Sequence, residues 1–316
     1  MSPLPSWLQS PPPSLAVDID ARRVTAVVAR AVGAGRRVDA HASVTLPQGA
    51  VVPSLTVQNI EQPDVVARAV RQAVEQVGGR HRRCALVVPD TTAKVTLLRF
   101  EAVPEQPRDL EQLIRLQLRK ALPFPVDQAQ VSIVEGRSDQ EGHEFVAVAA
   151  RRDIVAGYEQ ACASAGLHAG TVDISTLNVL NAVLLGDGTQ GGYPGDWLLV
   201  RVGSEYASFA IVRGGHVIFF RTRPTDAEEN LADVVHQTRM YFEDRLAGQG
   251  FSRVLLAGGS ESSDTAVLAR ELEARLGASV QAVDVRHAAT LGDRVSASPD
   301  VLATLAAPVG LVLRER

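Results

Sequence analysis

Cysteine is scarce: Cys84 and Cys162 are the two present in 316 residues, too few for a disulfide framework or a cysteine metal site. His81 and Cys84 form an H-x-x-C pair in "GRHRRCALVV", but no second pair completes four ligands. No apolar run reaches the roughly 18 residues that a membrane-crossing helix needs. An excess of one charge is missing too, since 32 basic and 36 acidic residues leave a net charge of -4, too balanced for a nucleic-acid surface. The basic run "RHRR" reads as a solvated turn before a strand. No G-x-x-x-x-G-K-[ST] loop exists, and "GDGTQG" (186–191), although it spells G-x-G-x-x-G, leads from a helix into a strand, the reverse of a dinucleotide loop. "GGSESSD" lacks the G-x-S-x-G nucleophile pattern. Glu243 and Asp244 sit side by side on a helix and point about 100° apart, which suits a solvated face. The opening "MSPLPSWLQSPPPS" has no basic residue and no apolar core, so it is not expected to be a secretory leader; its prolines predict a flexible or extended tail over 1–13. These absences point to a cytoplasmic protein, and 46% hydrophobic against 22% charged residues supports a proper core.

What is present is one pattern of strands and helices, twice. Residues 14–48 hold three strand candidates, "SLAVDI", "VTAVVAR" and "VDAHASVTL", with Gly33 and Gly35 marking the second turn. "PDVVARAVRQAVEQVGG" predicts a helix with Val65, Val66, Ala69, Val70 and Val74 along one face, begun by Pro63-Asp64 and ended by Gly78-Gly79. A buried-type strand, "CALVVPD", follows. Later "DWLLVRVG", "YASFAIVR" and "HVIFFRT" repeat the three strands, with Gly214-Gly215 at the second turn. "AEENLADVVHQTRMYFEDRLAGQG" and "RVLLAGG" repeat the helix and strand, and "DTAVLARELEARLG" and "VQAVDV" extend them. The matching turns predict an α/β fold of two βββαβ halves. Between them, "KVTLLRFEAVP", "RDLEQLIRLQLRKALPFP", "QVSIVEG" and "EFVAVAAR" read as a small βαββ insertion. Its helix carries Leu110, Leu113, Ile114, Leu118 and Ala121 on one stripe, with Glu111 and Arg115 as an i,i+4 pair on the wet side. The expected domains are 14–185, with the insertion at about 92–152, a linker at 186–195, and a shorter second domain at 196–316.

The first strand-turn-strand, the duplicated core and "LLAGGS" together resemble the actin-like ATPase superfamily, a ribonuclease H-like duplicated fold. Within it, "DLEQLIRLQLRKALPFPVDQAQVSIVEG", "TVDISTLNVLNA" and "LADVVHQTRMYFED", in that order, are similar to the type IV pilus assembly protein PilM family, and the resemblance spans about 14–316. It implies a scaffold of type IV pilus or type II secretion-like machinery, cytoplasmic and held at the inner face of the inner membrane. The implied partner is the N-terminal cytoplasmic segment of a PilN-like inner-membrane protein, bound between the main first subdomain and the insertion. Other pilus or secretion components are further contacts, with no nucleic acid and no membrane span. Arg115, Arg119, Lys120, Pro123 and Phe124 are the implied partner-binding residues, so reversing the charges of Arg115, Arg119 and Lys120 is expected to weaken partner binding; the alternative is that these cations only solvate the helix.

The same resemblance marks Asp18, Asp20, Gly203, Gly258 and Gly259 as nucleotide positions, with Asp18 beside magnesium if ATP binds. Glycine suits a phosphate loop because it permits positive φ and lets backbone N–H groups come close. Asp20, however, stands where the family has glycine, and a like charge at about 4 Å costs a kcal/mol or more. Arg22 and Arg23 are placed to offset it. Thr25 replaces a lysine common among relatives, and Arg201 replaces a metal-side aspartate. Magnesium is usually held through one or two carboxylates. Only "RTRPTDAEEN" joins the third strand of the second half to its long helix, where the family has a subdomain walling the cleft. The expectation is a degenerate ATPase kept as a binding scaffold, with no catalytic residue and no required cofactor. The second reading is a working ATP–magnesium ATPase or small-molecule kinase, in which Asp18→Ala abolishes nucleotide binding. A filament former is the third, and the missing subdomain removes an interface that such filaments need.

Overall fold

Strands β1 (Leu15–Ile19), β2 (Arg23–Val32) and β3 (Gly35–Thr45) form an antiparallel meander, because short turns join runs whose side chains alternate between two faces. This computed structural model describes residues 13–33, 35–139, 142–187, 194–225, 231–258 and 262–313; the tail up to residue 12, linker residues 188–193, the connection 226–230 and Gly259 lie outside the described residues. Helix α1 (Pro63–Val77) starts on Pro63, whose fixed φ suits a first helical turn, and returns the chain so that β4 (Arg83–Val88) lies parallel to β1. Its buried stripe is Val66, Ala69, Val70, Ala73 and Val77; Val65 and Val74, expected on that face, are only partly buried at its margin.

The insertion follows: β5 (Ala93–Phe100), α2 (Pro107–Ala121), β6 (Ala129–Asp139) and β7 (Gly142–Arg151) make a three-stranded sheet in the order β5-β7-β6. Ile114 and Leu118 of α2 press on Phe145, Ala147 and Ala149 of β7, so α2 covers one face of that sheet. Of the five residues expected on the α2 stripe, these two are buried, while Leu110, Leu113 and Ala121 are partly buried. Then α3 (Arg152–Ser164) leads to β8 (His168–Ile174), parallel to β4, and α4 (Ser175–Gly186) closes the first half.

The second half repeats the design. Strands β9 (Trp197–Val202), β10 (Tyr206–Arg213) and β11 (His216–Pro224) form the meander, and Gly214 and Gly215 at positive φ make its tight turn. Helix α5 (Leu231–Arg245), strand β12 (Arg253–Gly258), helix α6 (Ser262–Leu276) and strand β13 (Val280–Ala282) complete the sheet β11-β10-β9-β12-β13, matching β3-β2-β1-β4-β8 strand for strand. The step from Pro224 to Leu231 is too short for a packed unit.

Two C-terminal elements were not anticipated. Strand β14 (Thr290–Leu291) joins the outer edge of β3, and α7 (Pro299–Leu313), apolar almost throughout, fills the space between the two sheets with α4. The layers therefore run α1 and α3, first sheet, α4 and α7, second sheet, α5 and α6. The two helices of the middle layer cross at Gly310, where an added Cβ would stand 1.8 Å from the Asn178 carbonyl oxygen. Gly310→Ala is expected to lower the unfolding free energy by about 2–3 kcal/mol, as overpacking of a close crossing does, and urea titration with an unchanged slope checks it.

Candidate functional site

Alternation along β1 and β9 decides what faces the space between the halves. Leu15, Val17 and Ile19 enter the outer core, so Ala16 and Asp18 turn inward; Leu198 and Val200 enter theirs, so Trp197, Leu199 and Arg201 turn inward. Asp18 lies opposite Thr25 in the first hairpin, and Arg201 lies opposite Ser208 in the second. Arg201 is thus the counterpart of Asp18 with the charge reversed. The turns match as well: the Asp20 N–H donates to the Arg23 carbonyl at 3.0 Å, and the Gly203 N–H donates to the Tyr206 carbonyl at 2.8 Å.

These groups bind one another. Asp20 accepts hydrogen bonds from Ser204 Oγ at 2.7 Å, across the halves, and from the Ala21 N–H at 2.7 Å. Arg22 pairs loosely with Glu205 at 3.8 Å in solvent, which contributes little. Buried Arg201 donates to the Val202 carbonyl at 2.6 Å and to Ser175 Oγ at 3.2 Å. Gly258 has φ +84°, and a Cβ there would stand 2.0 Å from an Arg201 guanidinium nitrogen. At Gly203 a Cβ would stand 2.4 Å from the Tyr206 ring. Both glycines therefore make room for the protein's own side chains; Gly259 lies outside the described residues.

A third carboxylate, which the sequence reading missed, lies just past β4. Asp90 is 0% exposed and accepts from the Thr176 N–H at 2.9 Å, from the Thr176 hydroxyl, and from Ser208 Oγ at 2.6 Å. Ser208 also shares a 2.8 Å hydrogen bond with Thr222. The available signals were an acidic residue directly after a buried strand in "LVVPD" and the hydroxyls of "DISTLN". Burial pushes the Asp18 carboxyl up to about 7; the Asp20 charge adds to this and Arg201 opposes it. Burial also raises Asp90, against the bonds from Ser208 and Thr176 and the charge of Arg201. Burial works against the Arg201 charge, yet Tyr206, Asp20, Asp18 and Asp90 together hold it above the usual range. Among the described residues no group of three or more His, Cys, Asp or Glu is placed to hold a metal ion.

A groove opens beside this cleft. Its cavity, about 570 Å³, is walled by Val146 and Val148 of β7, by Ser132 and Val134 of β6, and by α3, β8 and α4. β6 is an outer strand of its sheet, so it offers backbone hydrogen-bonding groups, and Val134 is 60% exposed. The cations expected to bind a partner are elsewhere. Arg115, paired to Glu111 at 2.8 Å, and exposed Arg119 and Lys120 ride on α2, across the inserted sheet from the groove. Pro123 is exposed, and Phe124 packs into the α2-side core.

The raised Asp18 carboxyl sets a pH dependence. A carboxyl with a higher folded than unfolded pKa contributes stability that is complete below its unfolded value, near 3.8, and is lost as pH rises through about 7. Each unit is worth about 1.4 kcal/mol, and partial exposure of Asp18 discounts the full shift. The full shift gives about 2.6 kcal/mol between pH 5 and pH 8, so after that discount the unchanged protein is expected to lose about 1–2 kcal/mol there relative to Asp18→Asn. Urea titrations of both proteins across that range check it, and a constant difference contradicts it.

The sequence matches no curated protein. A solved structure of the PilM-PilN type IV pilus biogenesis complex is 18% identical with TM-score 0.80, over 95% of this chain and 98% of that one. A Bacteroides thetaiotaomicron protein with an actin-like ATPase fold and unknown function is 8% identical with TM-score 0.54, over 96% and 99%. The cytoplasmic domain of EpsL, an inner membrane component of the type II secretion system of Vibrio cholerae, is 11% identical with TM-score 0.50, over 93% of each chain. These likenesses establish the actin-like ATPase fold. The sequence model described as type IV pilus assembly protein PilM matches residues 16–237, well over half of the sequence, and the chain belongs to that family.

Proposed function

We propose that the protein is a scaffold of type IV pilus-like machinery that holds an extended segment of a PilN-like inner-membrane protein in the groove between the inserted sheet and α3, β8 and α4. One observation carries this reading: a groove with an apolar floor and an outer strand at its rim, in a chain of the PilM family whose fold matches a chain of a PilM-PilN complex. An extended peptide adds to a strand edge through main-chain hydrogen bonds and places alternate side chains in apolar pockets. Such a partner holds the protein at the inner face of the inner membrane; no helix among the described residues is long and apolar enough to cross it.

The interlobe cleft, in this reading, takes no ATP–magnesium. The support is chemical: Asp20 is bonded to Ser204, Asp90 to Ser208 and Thr176, and the Arg201 guanidinium fills the space beside Gly258. A triphosphate entering there has to break those bonds and faces three carboxylates.

Titration calorimetry with a synthetic peptide of the partner's cytoplasmic N-terminal segment tests the groove. Val148→Asp is expected to weaken binding at least tenfold, the cost of an unpaired charge in an apolar wall, while the triple reversal of Arg115, Arg119 and Lys120 changes it less than twofold. The opposite pattern moves the partner to α2. The same titration with millimolar ATP and magnesium is expected to give no heat, and a saturable signal lost in Asp18→Ala restores the working ATPase.

A further inference from the structure

The groove has a third wall, and the other half of the molecule supplies it. Gly215, His216 and Val217, at the β10–β11 turn, line the cavity together with the inserted sheet and α4. Asp90 stands where these three walls meet. It opens the short 3-10 turn Asp90–Thr92 that leads into β5, and Thr92 and Ala93 themselves line the groove. It accepts from Thr176 at the start of α4, whose Leu177, Leu180 and Asn181 line the groove further on. It accepts from Ser208 on β10, and Ser208 reaches Thr222 on β11, so both strands of the hairpin are tied to it.

We propose that Asp90 is a positioning residue for the partner groove: it holds the inserted sheet, α4 and the β10–β11 hairpin at a fixed separation and so sets the affinity for the segment without touching it. The proposal rests on the groove reading above. A buried carboxylate with three hydrogen bonds is a stiff joint, because releasing any one donor leaves a buried polar group unpaired. The Ser204–Asp20 bond and the Arg22–Glu205 pair join the two meander turns, and Arg201 binds its own neighbour and Ser175, whereas the Asp90 bonds reach the walls of the groove. Arg213, beside the turn, is held by Asp196 at 2.5 Å within the second half, and Val217 packs against the cores of both halves, so the hairpin moves as a unit with its own sheet. Separation of the halves at Asp90 carries the hairpin away from the inserted sheet and opens the groove on its third side.

The test measures groove width and affinity separately. Spin labels at Gln128→Cys, before β6, and His216→Cys, on the hairpin, report the width by double electron–electron resonance; the native Cys84 and Cys162 are buried and stay unlabelled. In unlabelled protein, calorimetry with the partner peptide reports affinity. Asp90→Asn and Ser208→Ala, each confirmed folded by thermal unfolding, are expected to lengthen or broaden the label distance and to weaken the peptide at least tenfold. The double variant is expected to be no worse than Asp90→Asn alone, because both cut one joint. Ser208→Ala removes one hydroxyl and keeps the test open if Asp90→Asn does not fold. An unchanged distance and affinity in folded Ser208→Ala overturns the proposal, as does full additivity. If the unaltered protein binds no peptide, the groove reading fails, while the label distances still decide whether Asp90 sets the width.

Discussion

The two halves meet over buried charge, and the arrangement of that charge constrains everything near it. Moving a carboxylate or a guanidinium out of water costs several kcal/mol unless partners of opposite sign or good hydrogen bonds compensate. Here Arg201 sits among Asp18, Asp20 and Asp90, while Ser204, Ser208 and Thr176 donate to two of those carboxylates. Each group is tolerable only because the others are present. Such a cluster holds one geometry, and the relative placement of the halves follows from it.

Duplication explains how the cluster arose in space. The two meanders share strand order, turn hydrogen bonds and cross-strand register, so equivalent positions confront each other across the middle layer. A fold of this kind presents two similar turns to whatever lies between them. In this chain the positions carry side chains of opposite charge type, Asp18 and Arg201, and the turns are joined directly by the Ser204–Asp20 hydrogen bond. The middle layer completes the joint: α4 and α7 pack between the sheets, and β14 from the second half closes the edge of β3.

The family assignment and the local chemistry bear on different surfaces. The cleft between the halves is polar, with Asp20, Asp90 and Arg201 hydrogen-bonded to the protein's own groups, whereas the groove beside the inserted sheet is apolar with an open strand at its rim. Apolar, concave surface with a free strand edge is what an extended chain segment requires. The cations of α2 lie beyond the sheet, on a face that water already satisfies. The groove and the cleft adjoin at Asp90, where the insertion leaves the main sheet and the second half grips it.

Much of the architecture was legible in order along the chain. Period-two alternation in "SLAVDI" and "DWLLVRVG", glycine turns at Gly33 and Gly214-Gly215, and apolar stripes in α1 and α2 are local properties, and local properties determine which segments become strands and helices. They also carried the resemblance to an actin-like fold and to the PilM family, which depends on the order of elements rather than on any one residue. Helix α7 escaped because a helix buried on all sides has no polar face to show a period. Asp90 escaped because a single carboxylate after a strand looks like any turn residue until Thr176 and Ser208, distant in sequence, are brought to it. Gly203 and Gly258 could be read from the chain as phosphate-loop glycines, and only packing revealed Tyr206 and Arg201 filling the space a side chain would need. The sequence by itself determined the elements, their order and which face of each is apolar, since those depend on neighbours a few residues away. Which charges meet, which face of the insertion becomes a groove and which residue joins its walls were decided by the tertiary structure, because those contacts join residues 86, 118 and 184 positions apart.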